Sequence, residues 1–299
     1  MNTLIVICGP TASGKTKAAI EVAKAFDAEI ISADSRQFYR EIPIGTAAPT
    51  EDELREIKHH FVGFLSVEDI YNVSNYEGDV ISFLNEYFKY KKTAVMVGGS
   101  GLFIDAVCNG LDEMPDVDAS VREKVTRLFD EGGIVKLQTE LARLDPDFFA
   151  VVDKNNPRRL QRALEVSLQT GLPYSSFRTK KKAHRDFNIV KLAIKCDRNS
   201  LIDRINKRVD EMMKNGLLDE AKAMYPKRHL NSLNTVGYKE LFEYFDGEIS
   251  LEEAVEKIKI STRQYAKRQI TWLRKETDYQ WFELNDLTSV IQWLKEKLA

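Results

Sequence analysis

The stretch Gly9-Pro10-Thr11-Ala12-Ser13-Gly14-Lys15-Thr16 fits the pattern G-x-x-x-x-G-K-[ST]. It follows an apolar segment, Thr3–Cys8, that predicts a buried strand, and it opens a segment with helical spacing, Lys15–Phe26. In such a loop the backbone N–H groups bind phosphate oxygens, the lysine adds positive charge, and the last hydroxyl can bind Mg²⁺. The sequence therefore predicts a polyphosphate site. A kinase and a transferase with a diphosphate leaving group need the same loop.

Strand and helix patterns continue to alternate beyond this loop. Glu29–Ala33 and Thr93–Val97 have the composition of buried strands, and Asn75–Tyr90 has apolar residues at helical spacing. Further strands are predicted at Asn188–Cys196 and Tyr279–Phe282. This alternation is typical of α/β proteins with a parallel sheet covered by helices.

The strand pattern is absent between residues 114 and 185. In this segment MPDVDASVREKV predicts the start of a helix, and Asn156–Thr170 predicts another. We therefore expect residues 1–113 and 186–299 to form one α/β core, and residues 114–185 to form an all-α insertion domain.

Charge balance and cysteine content exclude several classes of protein. The 299 residues include 44 Lys+Arg and 46 Asp+Glu, a net charge of -2, unlike a uniformly basic nucleic-acid coat. No apolar run reaches the ~20 residues that span a bilayer, and the opening MNTLIVIC lacks the basic flank and cleavage site of a signal peptide. Three widely spaced cysteines describe neither a disulfide framework nor a metal site. We expect a reduced, cytoplasmic enzyme or switch that has no membrane partner.

Asp34 lies directly after the predicted strand Glu29–Ala33. Ligands of open α/β sheets bind at the carboxyl ends of the strands, so this carboxylate is placed to bind a metal ion or to act as a base. The alternative is a turn or helix-capping acid. A glycine-rich turn, Gly98–Gly101, follows another strand and carries the Ser100 hydroxyl, although such a turn is by itself weak evidence for a site.

Two stretches are basic and contain no acid. The first holds Arg158, Arg159 and Arg162, and the second, Lys259–Lys275, overlaps a predicted helix over Leu251–Arg274. A solvated helix face is the usual interpretation of such runs, but a solvated face normally mixes signs. Segregation of positive charge toward a polyanion is the alternative.

Arg204 and Arg208 are four residues apart on a predicted helix over Leu201–Tyr225, whose other face is apolar. They are placed either to reach the phosphates of a bound ligand or to pair with acids of their own helix at the surface. The sequence alone leaves both interpretations open.

The chain resembles the bacterial tRNA dimethylallyltransferases, also called tRNA isopentenyltransferases. The resemblance runs from Gly9 to Arg274 in ordered blocks: GPTASGKT, ISADSRQFY, IGTAAPT, VGGSGLF, NPRRLQRALEV, RINKRVDEMMKNGLLDEA, NTVGYKE and TRQYAKRQITWLRK. Together the blocks are highly specific, the last one especially.

The resemblance implies a P-loop NTPase-like core with a parallel sheet flanked by helices, plus an all-α insertion domain that binds tRNA. The activity it implies is transfer of a dimethylallyl group from dimethylallyl diphosphate. The acceptor would be N6 of the adenosine 3′ of the anticodon, position 37, in tRNAs that read codons beginning with U. The implied partners are the anticodon stem-loop and the donor, with Mg²⁺ as cofactor, and a monomer is expected.

The resemblance also implies roles for single residues. Gly9–Thr16 would bind the diphosphate, with Lys15, Thr16 and Arg208 acting on the leaving group and Thr16 as the candidate Mg²⁺ ligand. Asp34 falls on the position of the general base. Positions that match tRNA contacts are Asp34, Ser35, Arg36, Gln37, Ser100, Arg122, Arg158, Arg159, Leu160, Gln161, Arg162, Asn234, Thr235, Val236, Gly237, Tyr238 and Lys239.

Several positions depart from the family pattern. Ser100 stands where Thr is common, Phe103 where Tyr is common, and Ala48 where Lys is frequent, and Phe61–Phe64 differs from His-x-x-x-Asp. These departures leave the loop residues and the candidate base unchanged, so they bear on substrate contacts more than on chemistry.

Two other activities remain open. An adenylate isopentenyltransferase would carry out the same chemistry on AMP, ADP or ATP. A small-molecule P-loop kinase would share the loop and a helical insertion but would phosphorylate its substrate with ATP. A GTPase-like switch is disfavoured because the sequence has no NKxD-type guanine motif.

Overall fold

The computed structural model describes residues 1–179 and 182–298. The chain forms two compact units, Met1–Cys108 with His184–Ala299, and Asn109–Ala183. We call the first the core unit and the second the insertion unit, for which the sequence suggested residues 114–185. Lys180 and Lys181, which the sequence assigned to the insertion, lie outside the described residues.

The core unit is built on a six-stranded parallel sheet. The strands are β1 (Thr3–Cys8), β2 (Ile30–Ala33), β3 (His59–His60), β4 (Thr93–Gly98), β5 (Asn188–Ile194) and β6 (Tyr279–Phe282). Their order is β3-β2-β4-β1-β5-β6, and Thr3 of β1 lies opposite Thr93 of β4 and Asn188 of β5. The predicted α/β fold with a parallel sheet is confirmed.

Helices connect the strands and form the insertion unit. They are α1 (Lys15–Ala25), α2 (Glu51–Glu56), α3 (Val73–Tyr87), α4 (Gly101–Asn109), α5 (Ala119–Leu144), α6 (Pro146–Val151), α7 (Pro157–Thr170), α8 (Tyr174–Phe177), α9 (Arg198–Lys214), α10 (Leu217–Met224), α11 (Tyr238–Phe245), α12 (Leu251–Leu273) and α13 (Leu287–Leu298). Within the described part of the chain, none of them has both the length and the apolar character needed to cross a bilayer.

The central strands are buried on both faces because most of their positions carry apolar residues, chiefly Val, Ile, Leu and Ala. On one face Leu4 and Val6 of β1 pack with Tyr76 of α3. On the other face Ile5 and Ile7 pack with α1. Helices therefore cover both faces, and the loops that follow the strands gather at the carboxyl edge of the sheet.

The helix predicted over Leu201–Tyr225 is wrong as a single element, because the structure divides it into α9 and α10. The break lies at Asn215 and Gly216, and Gly216 has a left-handed φ of 99°. A glycine in this conformation is a common helix terminator, so the local sequence carried a signal that the apolar spacing obscured.

Two of the departures from the family pattern lie in an aromatic cluster on the sheet face covered by α3. The ring of Phe103 lies 5.7 Å from that of Phe38 and 5.3 Å from that of Tyr76. Phe61 and Phe64 contact the same cluster, with Phe64 5.6 Å from Phe38. Because these neighbours are aromatic rings, a phenyl ring at position 103 suits the packing.

The insertion unit contains α5 to α8, and its described residues include no strand. Its core is formed where α5 packs against Leu160 and Leu164 of α7. Asp145, between α5 and α6, is buried and accepts hydrogen bonds from the backbone N–H groups of Phe148 (2.9 Å) and Ser175 (2.6 Å). This carboxylate ties α6 and α8 to the end of α5.

Candidate active site

A cleft of about 1200 Å³ lies at the carboxyl ends of β1, β2 and β4 in the core unit. Most of the remaining wall comes from residues 43–54, residues 234–240, α9 and α12. The predicted site residues that line it are Thr11, Lys15, Thr16, Asp34, Ser35, Arg36, Gln37, Arg208, Asn234, Thr235, Val236, Gly237 and Lys239. The structure thus brings together predicted site residues from four separate stretches of the chain.

The phosphate-binding loop is shaped by its own backbone. The Ser13 N–H donates to the Pro10 carbonyl at 3.2 Å, and Ala12 and Gly14 have left-handed φ angles of 60° and 87°. Gly14 adopts this conformation without the penalty of a Cβ atom, and α1 begins at the next residue, Lys15. The first amides of α1 therefore adjoin the loop and create an anion-binding site.

The surroundings of Lys15 disfavour the charged form of its side chain. Its Nζ donates to the Pro10 carbonyl at 3.4 Å. Burial is the main cause that lowers the pKa of Lys15 to about 8; Asp34 opposes this shift and Arg208 adds to it. Burial also lowers the pKa of Arg208, and Asp34 again opposes the shift. Two cations around one carboxylate leave a local excess of positive charge that an anionic ligand would neutralise.

We expect the affinity for inorganic pyrophosphate to fall as the pH rises above about 8. Lys15, with its pKa lowered to about 8, is charged below that pH and neutral above it, so each further pH unit should weaken binding up to about tenfold. Calorimetric titration from about pH 6.5 to pH 9.5 measures this dependence.

The matched control for this experiment is Lys15→Arg, because a guanidinium stays charged throughout the range. Pyrophosphate itself also titrates in this range, and that effect cancels when the affinities of the two proteins are divided. Parallel pH profiles for the two proteins would contradict the assignment to Lys15.

The Asp34 turn is joined to the glycine-rich turn after β4. Asp34 Oδ1 accepts a hydrogen bond from the Arg36 backbone N–H at 3.1 Å. The Ser35 backbone N–H donates to the Ser100 hydroxyl oxygen at 3.1 Å, and Ser100 is also a hydrogen-bond partner of Tyr265 on α12. The candidate base and Ser100 therefore belong to one hydrogen-bonded assembly.

The Arg36 side chain binds protein backbone. Its guanidinium donates to the carbonyls of Asn231 (3.1 Å), Ser232 (2.9 Å) and Asn234 (3.4 Å). These bonds hold the segment that leads into Asn234–Gly237 against the Asp34 turn. Arg36 thus lines the cleft and also holds the neighbouring segment of its wall in place.

The Gln37 side chain is bound in the same way to the loop before α2. Its Nε2 donates to the carbonyls of Ala47 (2.9 Å) and Thr46 (3.3 Å), and its Oε1 accepts from the Ser32 hydroxyl at 3.1 Å. Ala47 has a left-handed φ of 44°, which these contacts help to hold. Gln37 therefore positions the loop that closes one side of the cleft.

Two residues matched to tRNA contacts are buried instead. The side chains of Leu160 and Tyr238 are both 0% exposed, Leu160 in the core of the insertion unit and Tyr238 in the core unit. The Tyr238 hydroxyl donates to Glu220 at 2.5 Å. Both side chains supply packing, because each lies on the apolar face of an amphipathic segment, so the predicted tRNA contacts at these two positions are left to backbone atoms.

Glu220 is a structural residue of the cleft that sequence reasoning missed. Its carboxylate accepts hydrogen bonds from the backbone N–H groups of Ile44 and Gly45, each at 2.8 Å, as well as from Tyr238. An acid on a helix that carries both polar and apolar residues gives no local signal that it binds the backbone of a distant loop. The loop that it binds is distant in the sequence: Ile44 and Glu220 are 176 residues apart.

The donor atoms at the cleft fit a Mg²⁺ ion that is held mainly by phosphate. The Thr16 hydroxyl and the Asp34 carboxylate, both hard oxygen ligands, line the cleft. Among the described residues there is no group of three or more His, Cys, Asp or Glu side chains suited to hold a metal. Mg²⁺ commonly binds through one or two protein groups plus substrate phosphates and water, which this arrangement allows.

The insertion unit presents part of its predicted basic surface. Arg122 on α5 and Arg158 and Arg159 on α7 are exposed. Arg162 is partly exposed and lies 3.7 Å from Glu165, so an acid one turn later reduces the positive charge there. These residues belong to the insertion unit, whereas the cleft belongs to the core unit.

The acid-free stretch of α12 has partners that its own sequence does not reveal. Lys259 pairs with Asp210 of α9 at 2.9 Å, and the Arg263 guanidinium donates to Asn206 of α9 at 2.7 Å. Lys267 remains exposed. Part of this positive charge therefore stabilises the α9–α12 contact, and the stretch is less available to a polyanion than its sequence suggested.

Comparisons with known proteins agree with this arrangement. A family model described as IPP transferase matches residues 37–276. The tRNA dimethylallyltransferase 2 of Parabacteroides distasonis is 48% identical over 298 residues, with 100% of each chain covered. The tRNA dimethylallyltransferase of Christiangramia forsetii is 49% identical, with 99% of each chain covered.

Solved structures show the same likeness. The full-length tRNA isopentenylpyrophosphate transferase from Bacillus halodurans is 33% identical with a TM-score of 0.75, covering 100% of this chain and 97% of that one. A eukaryotic dimethylallyltransferase acting on tRNA is 26% identical with a TM-score of 0.81, covering 96% of this chain and 75% of that one. By its sequence along nearly the whole length and by its fold, this chain belongs to the IPP transferase family.

Proposed function

We propose that this protein transfers a dimethylallyl group from dimethylallyl diphosphate to N6 of the adenosine at position 37 of tRNAs that read codons beginning with U. The observation that carries the proposal is the presence of Lys15, Arg208 and Asp34 on one cleft. A diphosphate needs the two cations, and an attacking amine needs a nearby carboxylate. Membership of the IPP transferase family supports the same reaction.

The donor half of the reaction breaks the bond between the allylic carbon and the diphosphate oxygen, and the electron pair leaves with the diphosphate. The loop Gly9–Thr16 binds this group through backbone N–H groups other than those of Thr11 and Ser13, which are bonded within the protein. Lys15 and Arg208 neutralise the charge that develops on it. When bound at Thr16, Mg²⁺ would supply further charge neutralisation on the leaving group. Burial makes the two side-chain charges more effective than they would be in water.

The acceptor half forms a bond between N6 of adenine and the allylic carbon. The N6 lone pair is delocalised into the ring, so removal of a proton as the bond forms makes attack feasible. Asp34 takes that proton on a carboxylate that the Arg36 N–H already orients. To reach the cleft the adenine must leave the anticodon stack, so we infer that the base is flipped out.

The tRNA is bound, in this proposal, by both units. Exposed Arg122, Arg158 and Arg159 of the insertion unit contact the phosphates of the anticodon stem-loop. Ser35, Ser100 and the polar atoms of Asn234–Gly237 and Lys239 contact the loop bases. We further expect the protein to act as a monomer in the cytoplasm.

Transfer to an unmodified anticodon stem-loop should be at least about 10²-fold more efficient in kcat/KM than transfer to AMP. Two additional charged contacts of about 1.5 kcal/mol each already supply that factor, and a stem-loop offers many phosphates. The assay incubates the protein with dimethylallyl diphosphate and either acceptor at matched salt and analyses the nucleosides. Efficient prenylation of AMP would favour an adenylate enzyme, and ATP-dependent phosphorylation without prenyl transfer would favour a kinase.

The affinity for the stem-loop should fall steeply as salt rises, because each neutralised phosphate releases counterions. Arg158→Ala and Arg159→Ala should each lower the slope of log Kd against log salt by roughly one, with donor affinity unchanged. Arg143→Ala is the control, since that arginine of the insertion unit is already paired with Glu140 at 2.9 Å. Binding that is indifferent to salt would contradict the proposal.

A further inference from the structure

A buried glutamine on α12 connects two loops of the cleft. Gln269 is 6% exposed. Its Oε1 accepts a hydrogen bond from the Thr11 backbone N–H at 2.8 Å, and its Nε2 donates to the Gly99 carbonyl at 3.0 Å. One amide therefore bridges the phosphate-binding loop and the turn that carries Ser100.

The contact between α12 and this turn is close at two glycines. A Cβ atom on Gly99 would lie 2.0 Å from Nε2 of Gln269, and a Cβ atom on Gly101 would lie 2.4 Å from the Trp272 ring. Trp272 and Gln269 are three residues apart and so share a face of α12. The turn after β4 is thus seated directly on this helix face.

We propose that Gln269 is a positioning residue that sets the distance between the diphosphate on the phosphate-binding loop and the acceptor base beside Asp34 and Ser100. This inference rests on the proposed function. Each loop binds one reactant, and bond formation requires the reacting atoms to approach within about 3–3.5 Å. Two hydrogen bonds of ordinary length, at 2.8 and 3.0 Å, made in a buried place resist any shift of one loop against the other.

Gln269→Ala should lower the single-turnover transfer rate about 10²-fold at saturating donor and stem-loop, the size of effect expected from a misplacement of about 1 Å. The dissociation constants of donor and stem-loop should stay within about threefold, because each loop keeps its own binding groups. Gln292→Ala, at an exposed glutamine of α13, is the matched control and should behave as the parent protein. A loss of donor or stem-loop affinity that matches the loss of rate would overturn the positioning role.

A paired substitution tests whether Gly99 and Gln269 act through the same contact. Gly99→Ala alone drives a methyl group into the Gln269 amide and should slow transfer. In Gly99→Ala/Gln269→Ala the amide is gone, and the next nearest atom, the Gly9 carbonyl oxygen, lies at 3.4 Å. The double variant should therefore be no slower than Gln269→Ala, and additive losses would overturn the inference.

Gln269→Glu gives a test that does not depend on the stability of the alanine variant. When protonated, the introduced carboxyl can accept from Thr11 N–H and donate to the Gly99 carbonyl, as the amide does. When ionised it repels that carbonyl, and burial raises its pKa. The rate of this variant relative to the parent should therefore increase as the pH falls, and a flat ratio would overturn the inference.

A parent that transfers nothing refutes the proposed function, whereas an active parent with an equally active Gln269→Ala refutes only this inference.

Discussion

Asp34→Asn should slow prenyl transfer by about 10²–10⁴-fold, the contribution of a general base. Asparagine keeps an Oδ1 atom that can accept the hydrogen bond from the Arg36 N–H, which is 3.1 Å long in the parent. The turn should therefore keep its shape, and only the basicity is lost. Single-turnover rates at saturating donor and stem-loop isolate the chemical step from binding.

Donor affinity in this variant should be compared at about pH 6.5. Asp34 opposes the lowering of the pKa of Lys15, so a neutral side chain at position 34 lets that pKa fall further. At the lower pH Lys15 stays largely charged, and affinities for donor and stem-loop should change little. Asp203→Asn, at an exposed acid of α9, is the control. A single-turnover rate near that of the parent would exclude Asp34 as the base.

Lys15→Ala should reduce kcat/KM about 10³-fold, because one charge serves both the bound diphosphate and the departing one. The dissociation constant of the donor should rise about 10–100-fold, since a hydrogen bond to a charged group contributes roughly 1.5–3 kcal/mol. Calorimetry with dimethylallyl diphosphate and steady-state kinetics measure the two effects. Unchanged donor affinity would be incompatible with the role of Lys15 in binding.

The thermal stability of Lys15→Ala should be no lower than that of the parent. Burial and repulsion by Arg208 disfavour the Lys15 ammonium more than the nearby Asp34 favours it, so removing the charge relieves a net unfavourable interaction in the ligand-free protein. Lys17→Ala changes an exposed lysine of α1 two residues away and should alter neither binding nor rate. A large fall in Tm for Lys15→Ala would mean that the kinetic loss reports unfolding.

Much of the fold could be predicted because its signals are local. The buried strands are short, mostly apolar runs, and the loop Gly9–Thr16 is a contiguous motif between one strand and one helix. Asp34 could be placed at the cleft because parallel strands put their carboxyl ends along one edge. The signal for the helix break at Gly216 was also local. The helical spacing of apolar residues continues across it, however, and this stronger pattern predicted a single helix.

The sequence by itself therefore determined the parallel α/β fold, the phosphate-binding loop and the position of the candidate base, since each depends on residues close together in the chain. Only the tertiary structure decided what surrounds them. The Gln269–Thr11 bond spans 258 residues and the bond from Ile44 to Glu220 spans 176. On a helix that carries both polar and apolar residues, the sequence does not show whether a polar side chain bonds to a buried partner or to water. Their role depends on which backbone groups the packed helices bring within hydrogen-bond reach.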